Sequence, residues 1–268
     1  MEKVVLVTGG SSGIGAATAK ILASEGMKVY AGSRRGTFKD AVEGVLPVVL
    51  DVNDEALTEK VVADIVAKEG RLDAVVCCAG MGIFGPVEGT SDDEARSQFE
   101  TNYFGALKTI RACLPVFRKA GGGRIITIAS VMSVLQLPFQ GYYSSAKAAL
   151  LSISQSLSME LRGTGIECCC ILPGDVATGF TGARKLTAAA KDPSSPYLAP
   201  MQRNLKKIEA DELGGMEPER IGKVVLRQLK RKHMKVRIIP GFIYKLVGAL
   251  VRIFPAGFVL RIIRFIYT

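Results

Sequence analysis

Tryptophan is absent from this 268-residue sequence, and histidine occurs once. One histidine leaves the six cysteines (Cys77, Cys78, Cys113, Cys168, Cys169 and Cys170) without paired metal-ligand spacing, so no metal is expected. All six fall inside apolar runs and read as small buried thiols of a reducing compartment. Consecutive residues of a strand point to opposite faces, which argues against a shared redox or metal role for the 168–170 triplet.

Acidic residues are missing from Arg220 to Thr268, a stretch that carries twelve Lys/Arg, whereas the first 219 residues hold 23 basic against 25 acidic side chains. The net charge of +10 therefore lives in the C-terminal part. That distribution argues against a general nucleic-acid surface and for a localised contact, most simply with anionic lipid. Long apolar runs are lacking too. In the tail, Phe242 to Thr268, the longest uncharged stretch is Ile253 to Leu260, eight residues, against the roughly 20 that cross a bilayer as a helix. Two short helices on either side of Pro255 are expected instead, lying in a membrane interface or packing on the body of the protein or on a partner subunit. No secretory leader is expected, because Met1-Glu2-Lys3 runs straight into Val4-Val5-Leu6-Val7. The expected location is cytoplasmic, peripheral on the inner face of a membrane if the tail binds lipid.

What is present suits one α/β domain with a sizeable core: 48% apolar residues and 29 glycines. Val4 to Thr8 is a β-branched run that ends in Gly9-Gly10-Ser11-Ser12-Gly13-Ile14-Gly15, and helix-spaced apolar residues follow to Glu25. A glycine turn joining strand to helix is a phosphate site. Gly9 permits the tight turn, Gly13 lets backbone approach a pyrophosphate, and Gly15 lets the helix pack on the sheet. The next strand, Lys28 to Gly32, ends at Ser33-Arg34-Arg35, where an acidic residue would accept from a ribose hydroxyl but arginine accommodates a 2′-phosphate. The expected cofactor is NADP(H), held by Arg34 with Ser33 as a second donor.

Further strands are expected at Val45 to Leu50 (ending at Asp51-Val52), Leu72 to Cys78 (ending at Ala79-Gly80), Arg124 to Ala129, Ile166 to Leu172 and Lys235 to Ile239. Helices alternate with them, which implies a parallel, doubly wound sheet. Ser91-Asp92-Asp93-Glu94 opens a long helix running through Asn102 to about Lys119, and an amide inside that apolar face is either a satisfied core group or one that distorts the helix and holds a water. Between Asp175 and Met216 the pattern weakens into short helical pieces, which reads as a substrate lid or an irregular excursion.

Ser130 closes the Arg124 strand, and Tyr143-Ser144-Ser145-Ala146-Lys147 follows on a helix. Four residues bring Tyr143 and Lys147 to one face. An ammonium beside a phenol favours the phenolate and is expected to lower the tyrosine pKa from near ~10, which suits a general acid/base acting on an alcohol or ketone. Tyr142 has Ala146 four residues on and gains no such cation.

These motifs, Thr8-Gly9-x-x-x-Gly13-x-Gly15, Asp51, Ala79-Gly80, Asn102, Ser130, Tyr143-x-x-x-Lys147 and Pro173-Gly174 with Thr178, resemble those of the short-chain dehydrogenase/reductase family over roughly Val4 to Gly241. The resemblance implies a three-layer Rossmann fold of about seven parallel strands with a C-terminal helical tail. It divides the chain into a catalytic domain (1–241, with a lid over 175–216) and the tail (242–268). It further implies that Tyr143 moves the proton, Ser130 positions the carbonyl, Lys147 binds the nicotinamide ribose and Asn102 completes a water relay. Cofactor contacts are expected from Gly9, Ser11, Ser12, Gly13, Ile14, Gly15, Ser33, Arg34, Asp51 (adenine), Val52, Ala79, Gly80, Tyr143, Lys147, Pro173, Gly174, Val176 and Thr178. Cys78 stands where the family usually has an asparagine that ties the central strand ends together. Gln98 to Ala106 and the tail look most like 17β-hydroxysteroid-dehydrogenase-like and retinol-dehydrogenase-like members. The expected function is NADP(H)-dependent hydride transfer on a hydrophobic secondary alcohol or ketone, commonly by a homo-oligomer. The alternatives are a soluble or carrier-bound 3-oxoacyl or sugar substrate, and a non-catalytic NADP-binding regulator.

Overall fold

The computed structural model describes residues 2–39 and 42–267. In chain order its elements are β1 (Val4–Thr8), α1 (Gly13–Ser24), β2 (Lys28–Ser33), β3 (Val45–Val49), α2 (Glu55–Glu69), β4 (Ala74–Cys77) and β5 (Ile83–Phe84). Then come α3 (Asp92–Phe99), a π-helical turn (Glu100–Phe104), α4 (Gly105–Lys119), β6 (Gly123–Ile128), α5 (Gly141–Glu160) and β7 (Ile166–Ile171). The chain continues through α6 (Phe180–Ala183), β8 (Lys185–Leu186), α7 (Ala188–Lys191), α8 (Leu198–Leu213), α9 (Pro218–Lys230), β9 (Arg237–Ile238), α10 (Phe242–Ile253) and α11 (Ala256–Tyr267).

Seven strands form one parallel sheet in the order β3-β2-β1-β4-β6-β7-β9. Strands buried on both faces need continuous apolar runs. Leu6, Val75, Ile125, Cys168 and Cys170 face one core, and Val5, Val7, Val76, Ile126 and Cys169 face the other. The cysteine triplet alternates between them as its period of two requires. Helices cover both faces, giving the expected three-layer Rossmann arrangement. The strand order reverses between β1 and β4, and the carboxyl ends there open the crevice in which such sheets bind ligands.

Several expected elements come out differently. The last strand shrinks from Lys235–Ile239 to the two residues of β9, because only Cys170 and Ile171 of β7 pair with it. The stretch from 175 to 216 holds more than short pieces. Its α8 has sixteen residues, tolerates Pro200 in its first turn, and buries Met201, Asn204 and Ile208 on one face. A second sheet, β5 with β8, ties this region to the end of the fourth strand. The tail forms the two expected helices around Pro255, and no helix among the described residues is long and apolar enough to cross a membrane.

Five of the six thiols are buried and Cys78 is half-buried. Burial pushes Cys78, Cys113 and Cys169 up to about 12, and raises Cys77, Cys168 and Cys170 as well. An acid whose folded pKa is raised contributes stability that is complete below its unfolded pKa and is lost as pH climbs above it. Each such thiol removes about 1.4 kcal/mol per pH unit once the unfolded chain ionises. Denaturant midpoints should therefore fall steeply above a pH of about 9, and more gently in a Cys113→Ala variant. A flat profile to pH 10 would contradict the burial of these thiols.

Candidate active site

The glycine turn leaves β1 against the end of β4. A side chain on Gly9 (φ +64°) would come within 2.8 Å of the Ala79 backbone, and one on Gly15 within 2.2 Å of the Gly9 carbonyl oxygen. Only glycine lets these segments approach so closely. Ser12, exposed, is the N-cap of α1, but its side chain caps nothing, so the helix N-terminus keeps open amides for an anion. Ser11 is half-buried beside it, and Ile14 packs on the second core. Thr178 stands 3.3 Å from a side chain built on Gly13, so the loop after β7 faces the turn across the crevice.

At the end of β2 the Ser33 hydroxyl is buried with no hydrogen-bond partner, and Arg34 and Arg35 are exposed beside it. A buried orphan hydroxyl next to a free guanidinium fits a phosphorylated ribose. Asp51 is half-buried, with one carboxylate oxygen accepting from Asn53 N at 3.0 Å, and Val52 is buried against Gly105. Ala79 donates its N–H to the Thr8 hydroxyl at 3.2 Å, so the central strand ends are tied through Thr8 while Cys78 sits in the place of the family asparagine. The residues present thus fit a dinucleotide along these strand ends.

The four polar residues of the expected chemistry come from three places in the fold: the π-turn, the end of β6 and α5. Asn102 lies in the π-turn, where Gly105 N–H reaches back to the Glu100 carbonyl. Its amide donates to the Met81 carbonyl and accepts from the Met81 N–H, both at 2.8 Å. The amide is thus a satisfied core group, and the helix is distorted around it; insertions of this kind recur at functional sites. Ser130, 8% exposed, lies just past β6, where its hydroxyl accepts from Met132 N at 3.2 Å and faces the Tyr143 phenol closely enough to lower its pKa. Tyr143 and Lys147 share one face of α5, with the ammonium 5.9 Å from the ring centroid and donating to the Ile128 carbonyl at 2.9 Å. A side chain on Gly80 would touch Asn102 Oδ1 (3.1 Å) and approach Lys147 Nζ (3.6 Å), so Gly80 is the lip over both.

The expected pKa direction of Tyr143 is corrected. Burial, the largest effect, pushes the phenol up to about 12, outweighing the lowering by the nearby Ser130 hydroxyl. Lys147 is itself drawn down to about 8 by burial, and its ammonium is aimed at a carbonyl. Desolvation wins over attraction in this pocket.

Beyond β7, Pro173 is buried and its carbonyl accepts from Val131 N at 2.8 Å. Val176 bridges to Met216. Gly174 lies under the Tyr244 ring of α10, 2.1 Å from where its side chain would be, and the Tyr244 hydroxyl donates to Asp175 at 2.8 Å. At the other end of the tail, Asn204 donates to the Tyr267 carbonyl at 2.8 Å and the Tyr267 hydroxyl to Asp211 at 3.2 Å. The tail is therefore docked on α8. Phe180 went unnoticed in the sequence. Its ring lies 5.8 Å from that of Tyr143 and 2.8 Å from where a side chain on Gly82 would be. No periodicity marks it, because its partners sit about 40 and 100 residues away in the sequence.

The chain matches the short chain dehydrogenase family over residues 3–189. It is 36% identical over 242 residues to a 3-ketodihydrosphingosine reductase of Bacteroides thetaiotaomicron, covering 89% of this chain and 88% of that one. Among solved structures, a short chain dehydrogenase/reductase of Burkholderia phymatum in complex with NAD shares the fold with a TM-score of 0.80 and 23% identity, over 94% and 92% of the two chains. A short chain dehydrogenase of Burkholderia cenocepacia in complex with NADP does so with a TM-score of 0.76 and 24% identity, over 97% of each. Motifs, sheet order and sequence agree, and this chain belongs to the short-chain dehydrogenase/reductase family.

Proposed function

We propose that the protein is an NADP(H)-dependent reductase of a ketone on a lipid-like substrate, working at the surface of a membrane. The observation that carries this reading is a second apolar face on the docked tail. Tyr244, Val247, Gly248 and Val251 of α10, with Val259, Ile263 and Tyr267 of α11, turn inward, yet Ile243, Leu246, Ile253, Phe258 and Phe265 stay exposed. Lys245, Arg252, Arg261 and Arg264 flank that ridge, the arrangement of a helix pair that lies in an anionic interface. The 36% identical relative carries the name of a lipid ketone reductase, which agrees with it.

In the proposed reaction NADPH, when bound, supplies the hydride to the carbonyl carbon. Tyr143 gives its phenolic proton to the carbonyl oxygen, Ser130 holds that oxygen, and Lys147 orients the ribose. A phenol pushed up to about 12 is protonated at neutral pH, which suits a proton donor and hence the reducing direction. The Tyr143 phenolate then regains a proton from solvent through a water beside Asn102, whose side-chain amide stays engaged by Met81.

The tail's hydrogen bonds to Asp175, Asn204 and Asp211 make truncation after Gly241 a poor test, because it would also loosen the lid. Substituting the ridge is cleaner. Ile253 and Phe265 are 74% and 89% exposed, so Ile253→Glu with Phe265→Glu should leave thermal stability unchanged. Binding to vesicles of anionic phospholipid should weaken about tenfold or more per residue. Reduction of a micellar long-chain ketone should fall with it, while that of a small soluble ketone should hold. Intact protein that ignores such vesicles at low salt, or a variant that turns from dimer to monomer, would make the ridge a subunit contact and favour a soluble or carrier-bound substrate.

A further inference from the structure

Phe180 is held in place by charge. Arg184 lies with its guanidinium 6.0 Å from the Phe180 ring centroid, and its side chain is 3% exposed. It pairs with Glu212 of α8, whose other carboxylate oxygen accepts from the Thr181 hydroxyl at 2.6 Å. One guanidinium nitrogen, Nη1, is buried with no partner. A buried ion pair with an unmet donor costs stability relative to an apolar substitute, so it is poorly explained as a strut for the fold. What it does do is fix α6, and with it the one aromatic ring of the lid that touches the ring of Tyr143.

We propose that Phe180, clamped by the Arg184–Glu212 pair, is a specificity-determining wall that admits ketones with unbranched carbon on both sides of the carbonyl and excludes those whose carbonyl is part of a ring system. This deepens the reading of a lipid-ketone reductase and rests on it. The geometry gives the reason. Phe180 sits between the Tyr143 ring on one side and Gly82 on the other, where even a methyl group on Gly82 would lie 2.8 Å from its ring. An alkyl chain is thin enough to pass along the face of a fixed ring, whereas a fused-ring ketone needs the ring displaced. Displacing it means breaking the buried pair, since Phe180 and Thr181 open α6 and Arg184 follows its last residue. The wall thus favours acyl-chain ketones over steroid-like ones. Arg184 acts here as a positioning residue, through Phe180.

The test uses the full-length protein with NADPH, a straight-chain dialkyl ketone and a decalone-type ring ketone. Turnover and, independently, ligand-observed NMR binding are measured for both ketones. The parent should prefer the straight chain. In Phe180→Ala the straight-chain to ring ratio should fall about 10–200-fold, the range that pocket shape alone supplies. The paired change Arg184→Met with Glu212→Gln, which leaves no lone buried charge, should move the ratio the same way. Arg184→Lys should restore part of it, and a residue that only supported the fold would move melting temperature and not the ratio. An unchanged ratio in a folded Phe180→Ala protein overturns the wall. A parent that binds the straight-chain ketone selectively but never reduces it overturns the reductase reading and leaves the wall standing, and one that binds the ring ketone better overturns the wall.

Discussion

Replacing Tyr143 with phenylalanine should cut turnover on the order of 10²–10⁴-fold and leave NADPH binding nearly intact. The phenol meets Ser130 and the Phe180 ring, and phenylalanine keeps the ring contact while losing the proton. Stability should change little at neutral pH, because the phenol pushed up to about 12 is uncharged there and phenylalanine removes one hydroxyl while keeping the ring packed on Phe180. Tyr142 is the control. Its hydroxyl only approaches the Val87 carbonyl, at 3.5 Å, so Tyr142→Phe should keep close to full activity. Stopped-flow single turnovers separate the chemical step from release. A Tyr143→Phe protein retaining most of its rate in that assay would place proton donation elsewhere.

Exchanging the end of β2 should reverse the cofactor preference. With Ser33→Asp and Arg34→Ala, a carboxylate replaces the orphan hydroxyl and the exposed guanidinium disappears. Each charge-assisted bond to a 2′-phosphate is worth roughly 1.5–3 kcal/mol, so losing one and adding repulsion should shift the NADPH to NADH ratio of kcat/KM by about two decades or more. Arg35→Ala alone should change it little. Equal use of both cofactors by the parent would sink the assignment of Ser33 and Arg34, and would leave the roles proposed for Ser130 and Tyr143 untouched.

The sheet and the glycine turn were legible because each is written locally. Val4 to Thr8 reads as a buried strand by itself, and Gly9, Gly13 and Gly15 occur where backbone must approach backbone. Tyr143 and Lys147 were brought to one face by helical spacing alone. The sixteen-residue α8 was not legible, since it is amphipathic only with respect to partners far off in the chain: Met201 and Ile208 pack with Phe84. The sign of the Tyr143 shift was out of reach for a related reason. Spacing tells how near a cation lies, whereas the desolvation that outweighs it depends on everything else that closes around the ring. The tail illustrates both limits together, because its periodicity announces two helices but cannot say that one face rests on Asn204 and Asp211 while another stays bare.

The distribution of thiols makes the molecule its own clock. Five cysteines are shut inside the two cores and only Cys78 reaches partway to the surface, on the floor of the crevice beside Ala79. A bulky maleimide can therefore modify at most that one position while the fold stays closed. Every further adduct marks an opening event, and its mass-resolved rate gives the free energy of that opening without any denaturant. Cys168 and Cys170 time the exposure of one side of the sheet and Cys169 the other, so the same chain reports which of its two helical layers lifts away first.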